Sequence, residues 1–226
     1  MTIYAFIFAR GGSKGLKNKN LKKINGKPLI FYSINIAKKI KQIKKVYVST
    51  DNKNIEKIAL KYGAEIIKRP KKLSQDKSAE LLAWKHAVKI VLKKDKKFST
   101  FVSLPATSPL KNKKDILNSI KLLKKNIDLV LTVKKSKWNP WFNMLIENKK
   151  TNNFELVNKN KRRVYQRQQA PVTFDIVGNV YVSKPKYILK TNYILSGKKK
   201  ILEIPEYRSI DIDNIDDLNF AKLVMS

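Results

Sequence analysis

Apolar runs of strand length alternate with helix-periodic stretches through the first 135 residues of this 226-residue chain. The apolar runs lie at 3–8 (IYAFIF), 45–49, 64–67, 99–104 and 128–133. Between them, apolar residues recur at helical spacing over 28–43, 53–62, 77–94 and 113–125. This alternation predicts an α/β fold with a doubly wound, mainly parallel sheet that helices cover on both faces. Sheets of this kind bind ligands at the carboxyl ends of their strands.

The rhythm changes from about residue 138, where short apolar pieces flank a polar turn in WNPWFNMLIENKKTNNFELV. We interpret residues 138–168 as a small β-hairpin arm inserted in the sheet domain. A strand-like run at 178–183 and a helical pattern from Ile215 to Val224 then return the chain to the main body. The sequence has no linker long enough to separate a second domain, so we predict a single domain over residues 1–226.

Lysine dominates the polar residues and gives the chain a formal net charge of +33. A charge this high is typical of proteins that bind nucleic acid, because clustered cations gain from counterion release at phosphates. The lysines are spread along nearly every segment, however, which indicates a solvated surface. Cations and aromatic residues interleave in one short stretch, KNKRRVYQRQ at 159–168. We therefore expect no nucleic-acid partner, with a basic nucleic-acid-binding protein as an alternative.

Several features of the sequence indicate in which cellular compartment the protein lies. Cysteine is absent, no apolar run approaches the length of a membrane span, and MTIYAFIFA lacks the basic residues of a signal peptide. We expect a cytoplasmic protein with no membrane partner.

A glycine-rich loop follows the first predicted strand. RGGSKGLKNKN at 10–20 holds three of the seven glycines, Gly11, Gly12 and Gly15. Glycines lack the Cβ that would keep a polyphosphate away from the backbone amides, and Arg10 and Lys19 add positive charge. The loop matches neither the Walker A motif nor G-x-G-x-x-G. We predict a nucleoside triphosphate site here.

Four of the 17 acidic residues fall within SIDIDNIDDL. In an extended segment, Asp211 and Asp213 would point to one face, and Ile210 and Ile212 would be buried on the other. Two adjacent carboxylates repel each other unless a cation lies between them, and Mg²⁺ takes one or two carboxylates together with phosphate oxygens. We predict a metal site at Asp211 and Asp213. The two later aspartates suit the first turn of the last helix.

A series of segments, in order, resembles the CMP-nonulosonate cytidylyltransferases, which include acylneuraminate cytidylyltransferase. The segments are ARGGSKGLKNKNL, GKPLI, VSTD at 48–51, GAEIIKRP, LSQD at 73–76, PATSPL at 105–110, RQQAP at 167–171 and SIDID at 209–213. They extend over most of the chain. The resemblance implies a Rossmann-like nucleotidyltransferase fold with a dimerisation arm. It also implies a reaction in which CTP and an acidic nine-carbon α-keto acid sugar give a CMP-sugar and pyrophosphate.

The resemblance further implies roles for individual residues. Arg10 and Lys19 match positions that hold the triphosphate and, with Asp211, would carry the catalysis. The other implied positions of the nucleotide site are Gly11, Gly12, Ser13, Asn20, Arg69, Glu80 and Thr107. The implied sugar-side residues are Arg167, Gln168 and Tyr181, and the implied ligands of Mg²⁺ or Mn²⁺ are Asp211 and Asp213. Positioning and charge neutralisation would then supply most of the rate.

The chain departs from the family pattern at three positions. At the position of Pro105, sialate-activating bacterial members have a glutamine that contacts the sugar. At the position of Phe142 they have a lysine from the arm, and at the position of Glu80 they have a small hydroxyl residue near the base. The loss of two polar sugar contacts argues against N-acetylneuraminate as the substrate. The stretch WNPWFNMLIE at 138–147 is more similar to members that act on legionaminic acid or related nonulosonates, and we expect a substrate of that kind.

In this family the arm dimerises and reaches the sugar site of the neighbouring subunit. Trp138, Trp141 and Phe142 would anchor such an interface, and packing within the monomer is the alternative. We therefore expect a homodimer. A cytidylyltransferase for another acid sugar, such as 3-deoxy-octulosonate, is the alternative within the same reaction class.

Two further polar residues invite a catalytic interpretation that the sequence does not favour. His86 is the single histidine and lies in a helical pattern beside apolar residues, so we interpret it as structural. Ser108 has no base and orienting acid that the sequence matches to it, so loop capping or a nucleotide contact is favoured over a nucleophilic role.

Overall fold

The computed structural model describes residues 1–12, 15–75, 78–158 and 164–225. The strands are β1 (Thr2–Phe8), β2 (Lys23–Ile24), β3 (Lys27–Pro28), β4 (Ile43–Thr50), β5 (Glu65–Lys68), β6 (Phe98–Ser103), β7 (Leu129–Lys135), β8 (Leu145–Asn148), β9 (Asn153–Leu156), β10 (Phe174–Ser183) and β11 (Lys199–Glu203). The helices are α1 (Leu29–Lys38), α2 (Lys53–Lys61), α3 (Glu80–Lys94), α4 (Lys113–Leu122), α5 (Pro185–Lys190) and α6 (Ile215–Val224). Single turns of 3₁₀ helix lie at Lys19–Leu21, Lys71–Leu73, Arg167–Gln169, Ile194–Ser196 and Glu206–Arg208.

The main sheet has seven strands in the order β11-β7-β10-β6-β1-β4-β5. Strand β1 pairs in parallel with β4 and β6, and β5 and β11 extend the parallel pairing at the two edges. Strand β10 runs antiparallel between β6 and β7. The prediction of a mainly parallel α/β sheet is confirmed. Because β1, β4, β5 and β6 are parallel, the loops that follow them lie at one edge of the sheet.

Alternation along β1 places apolar side chains on both faces of the sheet. Ile3, Ala5 and Ile7 pack with residues of α1, α2 and α4 on one face. Tyr4 and Phe6 pack on the other face, in an aromatic cluster that includes Trp84 of α3 and Phe101 of β6. Since helices cover both faces, the strand is apolar throughout.

An ion pair fixes the chain just before the SIDID segment. Arg208 donates to both carboxylate oxygens of Asp115 in α4, at 2.9 and 3.2 Å. The Arg208 and Asp115 side chains are only 16% and 9% exposed. Asn179 Nδ2 also donates to the carbonyl of Arg208, at 2.9 Å. A pair this sheltered is costly to break, so the segment that begins at Ser209 starts from a fixed point.

Most elements lie near their predicted positions, with differences at their ends. Helix α1 ends before residue 43 because Ile43 already begins β4, and α3 and α4 are also shorter than predicted. The strand predicted at 178–183 extends back to Phe174. The sequence patterns do not predict α5 or β11, and β11 is a lysine-rich edge strand. None of the helices in the described ranges has the length and apolar character needed to cross a membrane.

A separate antiparallel hairpin of β8 and β9 lies within the segment 138–168. Leu145 pairs with Leu156 and Glu147 pairs with Phe154, so Leu145, Phe154 and Leu156 share one face of the hairpin. Leu145 and Phe154 are 64% and 63% exposed. The first half of the cation-rich stretch, residues 159–163, lies outside the described residues.

Candidate active site

A cleft of about 490 Å³ opens at the edge of the sheet where the parallel strands end. Phe8 ends β1, Arg69 follows β5 directly, and Thr107 lies in the loop after β6. The predicted site residues that line this cleft are Arg10, Lys19, Asn20, Arg69, Glu80, Thr107 and Asp213. Gly15 lines it as well. The fold therefore brings together residues that are up to about two hundred positions apart in the sequence.

Hydrogen bonds hold the glycine loop against its neighbours. The Gly11 N–H donates to Asp51 Oδ1 at 2.9 Å, and Asn20 Nδ2 donates to the Arg10 carbonyl at 3.1 Å. A Cβ at Gly11 would lie 2.8 Å from Asn52 Nδ2, whereas one at Gly12 would meet no atom within 4 Å. Close packing therefore requires glycine at the first of these positions. The predicted contact at Ser13 lies outside the described residues.

The acidic loop contacts the glycine loop directly. Lys19 Nζ lies 2.8 Å from Asp213 Oδ1, with the lysine side chain 14% exposed and the aspartate 75% exposed. A Cβ at Gly15 would lie 2.5 Å from the Asp213 carbonyl oxygen. This close approach explains why position 15 is glycine, because any larger residue there would push the two loops apart.

Residues 209–213 form a loop rather than a strand, and their side chains alternate in part as predicted. Ile212 is fully buried and Ile210 only partly buried, whereas Asp211 and Asp213 are exposed. The Ile212 N–H donates to the Thr107 carbonyl at 2.9 Å, which ties this loop to the loop after β6. Asp211 lies beside Gly178 of β10, where its Oδ2 would be 3.3 Å from a Cβ added to the glycine. The last helix is capped by Asn214, with Asp217 in its first turn.

Arg69 is held in place by main-chain and side-chain acceptors. It is 8% exposed and donates from Nη2 to the Ser49 carbonyl at 2.6 Å and from Nε to Ser49 Oγ at 3.1 Å. Its guanidinium lies over the Phe8 ring, 5.6 Å from the ring centroid. These contacts fix a cation in the cleft wall.

Glu80 begins α3 and faces the cleft. Trp84 Nε1–H, one helical turn later, donates to Glu80 Oε1 at 3.1 Å. The side chain keeps accessible surface toward the cleft, yet protein atoms surround it on the other sides. This desolvation raises the pKa of Glu80, and the negative charge of nearby Asp211 raises it further. The hydrogen bond from Trp84 and the positive charge of Arg69 lower the pKa but do not cancel the effect of desolvation.

The three predicted sugar-side residues fall into two places. Tyr181 of β10 packs edge-on against Trp84, with ring centroids 5.5 Å apart. Burial, together with the carboxylates of Glu80 and Asp211, raises its pKa to about 12. Arg167 and Gln168 instead line a separate groove with Asn139, and Arg167 donates to the Lys137 carbonyl at 2.6 Å. Within one chain they do not line the cleft.

Lys111 is a structural part of the site that the sequence does not single out, because it is one of 50 cations. It is 8% exposed, and its Nζ donates to the Pro105 carbonyl at 2.5 Å and to the Ser108 carbonyl. Burial lowers its pKa to about 7, and the charge of Asp211 opposes this shift. The two bonds close the loop that carries Thr107.

Asp51 was also missed as a site residue, although VSTD is one of the matched motifs. Its position directly after β4 is the signal that could have identified it, since loops after parallel strands meet at the cleft. His86 is half-buried, and Ser108 Oγ donates to the Gly178 carbonyl at 2.6 Å. Their structural interpretation agrees with these positions.

The fold and the cleft define a nucleotide-binding α/β protein. A family model for cytidylyltransferases matches residues 4–215, from β1 to the start of α6. The chain belongs to the cytidylyltransferase family.

Relatives with more specific names cover nearly the whole chain. The CMP-N,N'-diacetyllegionaminic acid synthase of Campylobacter jejuni is 32% identical, in an alignment that covers 99% of this chain and 95% of the relative. The post-translational flagellin modification protein B of Campylobacter coli is 31% identical, in an alignment that covers 99% of this chain and 94% of the relative. The N-acylneuraminate cytidylyltransferase of Escherichia coli is 29% identical, over 97% of this chain and 51% of its own length. The family predicted from the motifs is confirmed.

Solved structures share the fold at much lower identity. A CMP:2-keto-3-deoxy-manno-octonic acid synthetase complexed with CTP superposes with a TM-score of 0.72 at 16% identity, covering 100% of this chain and 98% of that chain. The 4-diphosphocytidyl-2C-methyl-D-erythritol synthase of Anaerococcus prevotii has a TM-score of 0.70 at 18% identity and covers 99% of this chain and 98% of that chain. These likenesses show the cytidylyltransferase fold and nothing about the sugar.

Replacing Gly15 with alanine tests the contact between the two loops. A Cβ 2.5 Å from the Asp213 carbonyl oxygen must displace backbone. We expect Gly15→Ala to lower the free energy of unfolding, measured by urea denaturation, by about 1–3 kcal/mol. The matched control is Gly12→Ala, which meets no atom within 4 Å and should change this free energy by less than about 0.5 kcal/mol. Equal losses in the two variants would contradict the close approach.

Proposed function

We propose that this cytidylyltransferase joins CTP to an acidic nine-carbon α-keto acid sugar of the nonulosonate class, giving a CMP-sugar and pyrophosphate. The observation that carries the proposal is the contact of the cationic glycine loop with the acidic loop, through Lys19 and Asp213, inside a cleft at the strand ends. A triphosphate and its metal ion need both kinds of group side by side. The similarity to a legionaminic acid synthase over almost the full length supports the sugar class.

Arg10 and Lys19 are proposed to hold the triphosphate. In the reaction, the anomeric hydroxyl of the sugar attacks the α-phosphorus and loses its proton to water, the new oxygen–phosphorus bond forms, and the bond to pyrophosphate breaks. Negative charge collects on the leaving pyrophosphate, and cations fixed beside it stabilise that charge. Lys19 is well placed for this because it is largely buried and its partner Asp213 is exposed, so phosphate oxygens can replace the carboxylate.

Asn20, Arg69 and Thr107 are proposed to surround the nucleoside. All three line the cleft and are already held by bonds to the protein, such as those from Arg69 to Ser49 and from Asn20 to the Arg10 carbonyl. Groups held in this way need little rearrangement when the nucleotide binds. Gly11 and Gly12 allow the backbone of the loop to approach the phosphates.

Asp211 and Asp213 are proposed to bind Mg²⁺ or Mn²⁺. Their carboxylates are exposed on the same side of the loop, since Ile212 between them is buried, and oxygen ligands of this kind suit Mg²⁺. Across the described residues, no group of three or more His, Cys, Asp or Glu side chains could hold a metal ion. The pair would therefore share the ion with substrate oxygens. A bound Mg²⁺ would polarise a phosphoryl oxygen and offset negative charge in the cleft.

The sugar side is proposed to include Tyr181, Arg167 and Gln168. Tyr181 lies near Glu80 and Asp211, whose charges act on its hydroxyl. Arg167 and Gln168 line a groove at the base of the arm, and a second subunit could bring that groove to the cleft. Pro105 and Phe142 offer no side-chain hydrogen bond to the sugar. We therefore propose legionaminic acid or a related nonulosonate, rather than N-acetylneuraminate, as the substrate.

A homodimer through the arm is proposed as the active form. The hairpin carries Leu145, Phe154 and Leu156 on one face, and Trp138 at its base is 57% exposed. An apolar surface of this kind marks an interaction site. A second copy of the chain is the proposed partner because the sugar-side residues lie beside the same arm.

The first experiment measures pyrophosphate release from CTP and Mg²⁺ with four sugars in parallel: N-acetylneuraminate, legionaminic acid, pseudaminic acid and 3-deoxy-octulosonate. We expect turnover with legionaminic acid or pseudaminic acid to exceed that with the other two. Preference for 3-deoxy-octulosonate would instead favour the alternative acid sugar. Absence of turnover, with salt-sensitive oligonucleotide binding, would favour the nucleic-acid alternative and contradict the proposal.

Replacing Asp211 with asparagine tests the metal site. The amide keeps the size of the side chain but removes a charged ligand, so we expect kcat to fall by about 10²-fold or more with an unchanged circular dichroism spectrum. The matched control is Asp216→Asn, an exposed aspartate in the first turn of α6, which should retain its activity. Full activity in Asp211→Asn would remove the metal assignment.

Sedimentation equilibrium tests the role of the arm. We expect a dimer for the unchanged chain and a monomer for Phe154→Glu, because the new carboxylate lies opposite Glu147 and would bury two like charges in an apolar interface. Leu60→Glu on α2 is the control, since Leu60 is also exposed, at 54%, but lies outside the arm. A Phe154→Glu protein that remains dimeric would exclude the hairpin face as the interface.

A further inference from the structure

The contacts among the cleft residues separate into two groups. One group contains Lys19, Gly15 and Asp213, where the glycine and acidic loops meet. The other contains the Phe8 ring and the Arg69 guanidinium over it, packed against buried Trp84, whose ring centroid lies 6.0 Å from that of Phe8. Glu80 belongs to this second group through its hydrogen bond from Trp84.

The two groups suit different parts of a nucleotide. Phosphates are attracted to the first group, with its lysine and open backbone, and are repelled from a carboxylate such as Glu80. A planar base is suited to the second group, because the Arg69 guanidinium offers a planar surface and Phe8, Leu73 and Ala83 also line the cleft. On the proposed function, the nucleotide therefore lies with its base toward Glu80.

Glu80 has a defined orientation at this end of the cleft. The indole N–H of Trp84 donates to Oε1, and Trp84 is itself 2% exposed and packed against Phe101 and Tyr181. The carboxylate is thus held by a buried ring rather than by a mobile side chain. Oε2 has no hydrogen bond of its own among the described residues.

We propose that Glu80 is a specificity-determining residue that selects cytosine, because its carboxylate accepts a hydrogen bond from the exocyclic amino group of the base. The inference rests on the proposed function and deepens it. Carboxylates read cytosine in this way, since N4 is a donor. Uracil presents a carbonyl oxygen at the same place, which a carboxylate repels. The cleft walls desolvate Glu80, which raises its pKa. Desolvation also strengthens a hydrogen bond that the carboxylate accepts from a donor on the ligand.

A role as a third metal ligand is not supported. Although Asp211 acts on Glu80 electrostatically, the two are not part of any metal-binding group of three or more such side chains in the described ranges. A contact with the carboxylate of an acid sugar would set two negative charges together. The amino group of a base is the donor that fits a fixed carboxylate in this part of the cleft.

The test compares the binding of CTP and UTP by isothermal titration calorimetry, which does not depend on turnover. We expect the unchanged protein to prefer CTP, and Glu80→Gln to reduce the ratio of the two dissociation constants by about tenfold or more. Trp84→Phe deletes the N–H that orients Glu80 and should reduce the ratio by a smaller factor. Glu56→Gln, in the first turn of α2 and outside the cleft, should leave the ratio unchanged.

The outcomes separate this inference from the proposed function. If the unchanged protein binds neither nucleotide, the proposed function fails and the inference fails with it. If it binds CTP and Glu80→Gln keeps the same CTP-to-UTP ratio, the proposed function stands and the inference is overturned. A ratio that falls in Glu80→Gln but not in Glu56→Gln supports it, because a purely structural role would weaken both nucleotides equally.

Discussion

Burial of Ile212 determines the geometry of the candidate active site. Its side chain is fully buried in a cluster with Ile24 and Leu218, and its N–H donates to the Thr107 carbonyl. Burying an isoleucine contributes about 1.5–3 kcal/mol. Two exposed carboxylates 4 Å apart in water repel each other by only about 1 kcal/mol. Apolar packing is therefore sufficient to turn Asp211 and Asp213 outward together, before any cation binds.

Local contacts, rather than the net charge of +33, set the field in the cleft. Salt screens exposed charges beyond about 8 Å at physiological ionic strength, so the many surface lysines contribute little there. Lys19 is different because it is only 14% exposed and lies 2.8 Å from Asp213. Gly15 makes that distance possible by allowing the two backbones to touch. Gly15 therefore permits the Lys19–Asp213 ion pair, in addition to any role of the glycine loop in ligand binding.

The sequence predicts the sheet and the cleft well, and predicts the packing of the arm and of individual lysines poorly. Arg10 follows the first predicted strand, and parallel strands end at one edge. Arg69 and Thr107 are implied by the family resemblance, and in the structure each also follows a strand of that sheet. The groove that holds Arg167 and Gln168 depends on how the arm packs, which no local pattern encodes. The burial of Lys111 depends on two carbonyls in its own loop, and its residue type, in a lysine-rich chain, carries no signal.

On the proposed function, a substitution at position 105 would alter the sugar side without disturbing the nucleotide side. The loop there is held through main-chain carbonyls, since the Pro105 carbonyl accepts from Ser33 Oγ at 3.0 Å and from Lys111 Nζ at 2.5 Å. The Thr107 carbonyl is likewise bound, by the Ile212 N–H. None of these bonds uses the side chain at 105. Burying an ammonium is unfavourable, and the lowered pKa of Lys111 reflects it. The bonds that position Thr107 and the acidic loop therefore do not depend on the side chain at position 105.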